Sequence, residues 1–239
     1  MGTVFSFDVR SPGVPQDAIQ EAVRWLHWVD RTFSTYQRDS EVSRYGRGEC
    51  SLEQCAPEVG EILATCTRLA DETGGYFSMY AGGVLDPSAL VKGWAIERAS
   101  DLLVSAGSMN HCVNGGGDVQ CVGEAAPGQP WRVGIAHPLQ PGVLAAVVVG
   151  SGLAVATSGT AERGTHVIDP HTGRPANELA SITLVGRRLG MTDAYATAAF
   201  AMGAAARDWA EGLAGYEAFA VGVDGTTWST TGWRGPGPQ

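Results

Sequence analysis

The chain of 239 residues contains a single lysine, Lys92, beside fifteen arginines. Where a generic surface cation would serve, this chain uses arginine. The retained lysine therefore points to a need for a compact point charge rather than a planar fork. No basic cluster occurs and the net charge is −9, which leaves no electrostatic footprint for nucleic acid or an anionic membrane surface. No apolar run reaches the roughly 18–20 residues of a spanning helix, so no membrane insertion is expected. The sequence as given shows no charged n-region followed by an apolar h-region, so no secretion signal is expected in it. The five cysteines are an odd number without a CxxC pair, so reduced, structural thiols in a cytoplasmic protein are expected. Cys50 and Cys55 could pair, although nothing in the sequence requires it. No period repeats and no linker is long enough to separate domains. One domain over residues 1–234 is expected, with a loose tail at 235–239.

What is present fits a soluble globular chain, with 44% hydrophobic and 17% charged residues. Residues 3–10 alternate as a strand does. From Gln16 to Phe33 the positions Ile19, Val23, Leu26 and Val29 recur at helical spacing. The hydroxyl-rich run 33–44 reads either as a polar loop capping a short helix, with Ser40 and Ser43 as N-cap residues, or as a loop presenting Tyr36 to a flat ligand. A helix is expected from Pro57 to Glu72, stopped by Gly74-Gly75. Tyr76 to Val84 suits a strand edge or a ligand wall. Lys92-Gly93 is expected at the amino end of a helix running to about Ala106, well placed to meet a phosphate or to hold a neighbouring carboxylate.

His111–Val122 reads as a strand interrupted by three glycines, Gly115 to Gly117. Close backbone approach is the favoured reading there, ahead of a simple turn. Short strands are expected at 131–135, 144–149, 154–156, 165–168 and 181–185, with Thr157-Ser158-Gly159 between two of them. A lone histidine such as His166, in the fourth of these strands, is more often structural than catalytic. A further helix starts near Thr192, with Asp193 and Thr197 on one face. That pair is either a Thr192 cap with a carboxylate favouring the helix dipole, or an oxygen site for a hard cation such as magnesium. A short helix at 207–214 and a hairpin of 217–223 with 226–231 close the chain. The expected class is α+β: a single domain with a large mixed or antiparallel sheet and flanking helices.

Taken in order, these motifs resemble a known family over nearly the whole chain. They are Met1-Gly2-Thr3, Phe33-Ser34-Thr35-Tyr36 with Ser40-Glu41 and Ser43-Arg44, and Val91-Lys92-Gly93-Trp94-Ala95. Asn114 with Gly116-Gly117-Asp118, Thr157-Ser158-Gly159, His166 with Ile168-Asp169-Pro170 and Gly173, and Asp193-Ala194 with Ala196-Thr197 complete the set. The family is that of the FAD:protein FMN transferases, the ApbE-like flavin transferases, whose fold is related to the T-fold. The resemblance implies magnesium-dependent transfer of FMN from FAD to a threonine or serine of an acceptor protein, with AMP leaving. Similar members hydrolyse FAD or mainly hold it. It further implies a metal held by Asp193, Thr197 and the carbonyls of Ala89 and Ala196. Flavin-nucleotide contacts would come from Met1, Tyr36, Tyr76, Phe77, Ser78, Asp86, Lys92 and Ile168. His166 would take the acceptor's proton, with Asp193 beside it in the catalytic set. This chain departs from the family at Tyr76–Tyr80, where Ser78 and Tyr80 replace a usual acidic residue and threonine.

Overall fold

Alternating β-formers make the first strand, β1 (Phe5–Val9), and an apolar stripe makes the first helix, α1 (Gln16–Phe33), which buries Ala22, Leu26, Val29 and Phe33. The structure is a computed structural model that describes residues 2–160 and 167–233. The Ser40 hydroxyl accepts the Ser43 amide at 3.1 Å and so caps α2 (Glu41–Gly46). Helix α3 (Pro57–Glu72) buries Val59, Ile62, Leu63, Cys66 and Leu69. It ends where Gly74 and Gly75 take positive φ and the Gly75 amide turns back to the Ala70 carbonyl at 2.7 Å. Between α2 and α3 the Cys50 and Cys55 sulfurs lie 3.7 Å apart as free thiols. Tyr76 to Val84 forms turns rather than a strand.

Helix α4 (Ser88–Ser105) begins earlier than expected. Asp86 accepts the Ser88 amide at 2.9 Å and closes the first turn, so Lys92 and Gly93 lie in the second turn and not at the helix start. The glycine run also differs from expectation. Strands β2 (His111–Gly115) and β3 (Asp118–Val122) form a hairpin, with Gly115 opposite Asp118 and only Gly116 and Gly117 between them. Their φ values of 59° and 87° are those a two-residue turn of this hand requires, so the run is a turn, and it is also a place of close approach, since a Cβ at Gly116 would sit 2.7 Å from the Thr3 hydroxyl. The close neighbour at Gly115 is internal, because a Cβ there would sit 2.6 Å from the Phe5 ring. His111 is fully buried between the hydroxyls of Ser100 (2.7 Å) and Ser108 (3.0 Å). Burial lowers its pKa, so a neutral imidazole ties β2 to α4.

Strands β4 (Trp131–Ala136) and β5 (Leu144–Gly150) make a separate hairpin. Strand β6 (Ala154–Gly159) runs on through Thr157-Ser158-Gly159, which pair with β9 instead of forming a connection; β9 spans Leu179–Gly186. The small pair β7 (Ile168–Asp169) and β8 (Arg174–Pro175) lies between them, and the expected strand positions 165 and 166 fall outside the described residues. Helix α5 (Leu189–Met202) starts three residues before Thr192. Thr192 is thus not its cap; the hydroxyl instead donates back to the Arg188 carbonyl at 2.7 Å. Helix α6 (Ala206–Glu211) and the hairpin β10 (Glu217–Gly222) with β11 (Thr227–Ser229) complete the chain.

The main sheet has seven strands in the order β1-β2-β3-β6-β9-β10-β11, and every pairing is antiparallel. Alternation along the strands splits the core. Val113, Ala156, Ile182 and Leu184 face α1, α4 and α5. Val119, Cys121, Val155 and Phe219 face the β4–β5 hairpin. The class is α+β with flanking helices. No helix among the described residues is long and apolar enough to cross a membrane.

Helices α4 and α5 meet closely at Gly93, where a Cβ would lie 2.5 Å from the Leu189 carbonyl oxygen and 2.7 Å from the Asp193 Cβ. One of these is backbone and cannot turn aside. Gly93→Ala should therefore push the helices apart and cost about 1–3 kcal/mol as an overpacking change. A lower urea midpoint with an unchanged denaturant slope would support this, and wild-type stability would refute it.

Candidate active site

Helix α4, the β2–β3 turn, β4, β6, β7 and α5 all open onto one cleft of about 680 Å³. At its floor Lys92 from α4 stands between Asp118 from β3 and Asp193 from α5. The Lys92 ammonium pairs with Asp118 Oδ2 and lies 3.7 Å from Asp193 Oδ1. Each carboxylate has a second, backbone partner. The Thr157 amide donates to Asp118 Oδ1 at 3.0 Å, and the Gly93 amide donates to Asp193 Oδ2 at 3.0 Å. The two acids are 1% and 4% exposed and the lysine 23% exposed.

One ammonium thus faces two carboxyl groups that are both almost wholly shut off from solvent. That imbalance shows in Asp193. Burial pushes its carboxyl up to about 7; Lys92 pulls against this, Asp118 adds to it, and the Gly93 amide favours the ionised form. In a regular helix the Gly93 amide belongs to the Ala89 carbonyl, so its donation to Asp193 competes for that bond. One turn beyond Asp193, Thr197 lines the cleft with its hydroxyl 3.4 Å from that of Ser158.

The expected nucleotide-binding positions among the described residues border the same cleft. Tyr36 stands on its lip, 93% exposed, as the loop-presentation reading requires. Tyr76 lies half-buried, edge-on to His171 with ring centres 4.4 Å apart. Ser78 lines the wall and its hydroxyl accepts the Tyr80 amide at 3.1 Å. Asp86, Ala89 and Ile168 also border the cleft, whereas the Phe77 side chain is buried in the core and only meets the cleft from behind. Ala196 is wholly buried and does not border it. Met1 and His166 lie outside the described residues. Lys92 touches the cleft as a carboxylate-holding cation, the second of its two expected tasks.

Asp118 is the residue that sequence reasoning left without a task. The signal was present, since it follows the two-glycine turn, but only strand pairing carries it across to a lysine on α4.

Asp193 also makes stability depend on pH. Its folded pKa lies above the unfolded value of about 3.9, so the native state favours the neutral acid. This contribution is fully present below about pH 4 and is lost as pH rises through about 7. For the metal-free protein the urea midpoint should fall more between pH 5 and 8 than it does for Asp193→Asn. Parallel profiles for the two proteins would contradict the assignment.

Residues 1–86 and 80–220 match the ApbE family. A FAD:protein FMN transferase from Rhodobacter capsulatus is 37% identical over 209 residues, covering 84% of this chain but 37% of that protein. The chain thus spans little more than a third of that relative's length. A second, from Vibrio cholerae, is 24% identical over 265 aligned positions, covering 85% of this chain and 79% of that protein. The solved structure of the flavin transferase ApbE from Vibrio cholerae superposes with a TM-score of 0.83 at 23% identity, covering 97% of this chain and 94% of that one. At that identity the superposition speaks for the fold, while the family match over most of the chain carries the kinship. The chain belongs to the ApbE family of flavin transferases.

Proposed function

We propose that this chain transfers FMN from FAD to a threonine or serine hydroxyl of an acceptor protein, with magnesium as the metal and AMP as the leaving group. The observation that carries this reading is the buried Lys92–Asp118–Asp193 cluster at the floor of a cleft large enough for a nucleotide. Its two carboxyl groups and the Thr197 hydroxyl nearby offer the oxygen donors that suit a hard divalent cation. Asp193, Thr197 and the Ala89 carbonyl would hold it. The Ala196 carbonyl is left out of this set, because it lies in mid-helix away from the cleft. Bound there, magnesium would offset the pyrophosphate charge that opposes attack.

The chain's own groups supply the rest. Tyr36 and Tyr76 offer aromatic faces to the flavin ring on the cleft wall. Lys92 holds Asp118 and Asp193 in place and adds positive charge toward the phosphates. The acceptor hydroxyl forms the new P–O bond to the FMN phosphorus, and the bond to the AMP phosphate breaks. His166 takes the hydroxyl proton, a task suited to an imidazole with an ordinary pKa near 6.5. The net charge of −9 favours an acceptor that is not itself strongly acidic.

The test incubates the protein with FAD and magnesium, with and without a threonine-containing acceptor, and follows AMP release and flavin fluorescence on the acceptor. AMP that depends on the acceptor and matches the flavin gained supports transfer. Fast AMP release without acceptor means water is the nucleophile and the protein is a pyrophosphatase, and no AMP in either arm leaves FAD storage. Asp193→Ala should abolish magnesium-dependent turnover with the fold retained. His166→Ala should slow transfer by about 10²–10⁴-fold, the usual worth of a general base, while FAD affinity changes little.

A further inference from the structure

The amino end of α5 has no cap of its own. Arg188 occupies the cap position and makes no capping bond from its side chain. The orphan amides of the first turn are instead taken by side chains from the two elements that carry the rest of the cluster. Gln120 on β3, two residues beyond Asp118, accepts the Leu189 amide through Oε1 at 3.0 Å and donates through Nε2 to the Arg187 carbonyl at 3.2 Å. Glu97 on α4, about one turn beyond Lys92, accepts the Gly190 amide through Oε2 at 2.9 Å. Its other oxygen pairs with Arg188 at 2.6 Å, and Arg188 also forms two bonds of 3.0 Å to Asp101. Gln120 is 6% exposed and its amide oxygen and nitrogen face consecutive parts of the same chain turn.

We infer that Gln120 is a positioning residue: its two-pronged hold on Arg187 and Leu189 sets how far Asp193 stands from Lys92 and Asp118. The geometry is direct. Asp118 and Gln120 point to the same side of β3 because they are two residues apart. One side chain locates Lys92 and the other locates the helix start from which Asp193 projects one turn later. Glu97 makes the matching tie from α4, so α5 is located against both partners of its carboxylate. A polar side chain this buried would be a liability in an apolar core, and here its two shorter bonds go to the backbone leading into α5, with a third, of 3.5 Å, from Nε2 to the Cys121 carbonyl. The inference rests on the reading of Asp193 as a metal ligand, and its test has an arm that needs neither FAD nor metal.

Gln120→Met keeps the volume and removes these bonds. In the transfer assay kcat should fall by about 10–100-fold, as for other groups that orient a ligand from behind. KM for FAD should stay within about twofold, since Gln120 does not border the cleft. The magnesium concentration for half-activation should rise. Gln120→Glu keeps the acceptor facing the Leu189 amide at a helix amino end that favours negative charge but loses the donor to the Arg187 carbonyl, and should recover only part of the lost kcat. In the ligand-free protein, the Gly93 amide proton reports Asp193 directly by NMR. It should shift in Gln120→Met and return toward the wild-type position in Gln120→Glu. If Gln120→Met does not fold, Gln120→Asn, which shortens the reach by one carbon, takes its place with the same expectations. An unmoved Gly93 resonance overturns the proposal, as does a kcat loss matched by an equal rise in KM for FAD. Wild-type protein inactive toward FAD, but with the Gly93 shift observed, would sink the transfer reading and leave the positioning role standing.

Discussion

One ammonium shared between two buried carboxylates is the constraint on which the rest of this structure turns. Lys92, Asp118 and Asp193 come from a helix, a strand and a second helix far apart in sequence, and none could be buried alone at tolerable cost. Their meeting requires α4 and α5 to approach within reach of one side chain, which Gly93 permits by having no Cβ. It also requires β3 to begin at the cleft, which the two-glycine turn arranges by placing Asp118 at the first paired position. The capping of α5 by Gln120 and Glu97 serves the same meeting from behind.

The arrangement leaves the cluster short of positive charge, and this deficit links fold to function. A site meant only for structure would balance its charges, because a buried unpaired carboxylate costs several kcal/mol. Here Asp193 lies so far out of water that its pKa rises to about 7 even with Lys92 beside it. The cleft above it is walled by aromatic and small residues and opens toward Tyr36. A cation bound beside Asp193 would lower that pKa and stabilise the ionised carboxylate.

Much of the scaffold was legible in the sequence. Helices α1 and α3 fall where their apolar spacing and flanking Pro and Gly put them, since each has one clear face and an unambiguous stop. Helices α4 and α5 began earlier than expected because both are buried on more than one side, which erases the periodic signal that marks a start. The same burial made Thr192 look like a cap when it lies inside the helix. Gly115–Gly117 was ambiguous for another reason: a run of glycines does not say whether a turn or a close approach demands it, and here both do. The candidate site divides similarly. Resemblance picked out Asp193, Thr197 and the cleft wall, but the Lys92–Asp118 pair, Gln120 and Glu97 appear only once strand order and helix packing are known, because each acts across a gap no local pattern spans.

The central claim, that Asp193 and Thr197 form the oxygen site the charge deficit calls for, is tested most directly by metal binding itself. Manganese, a paramagnetic stand-in for magnesium, can be titrated into the protein with FAD present and the free ion followed by electron paramagnetic resonance. Saturable binding of about one ion per chain, lost in Asp193→Asn and weakened in Thr197→Val, is the predicted result, since removing one ligand of a small-count oxygen site costs most of its affinity. Equal binding by the wild type and Asp193→Asn would contradict it.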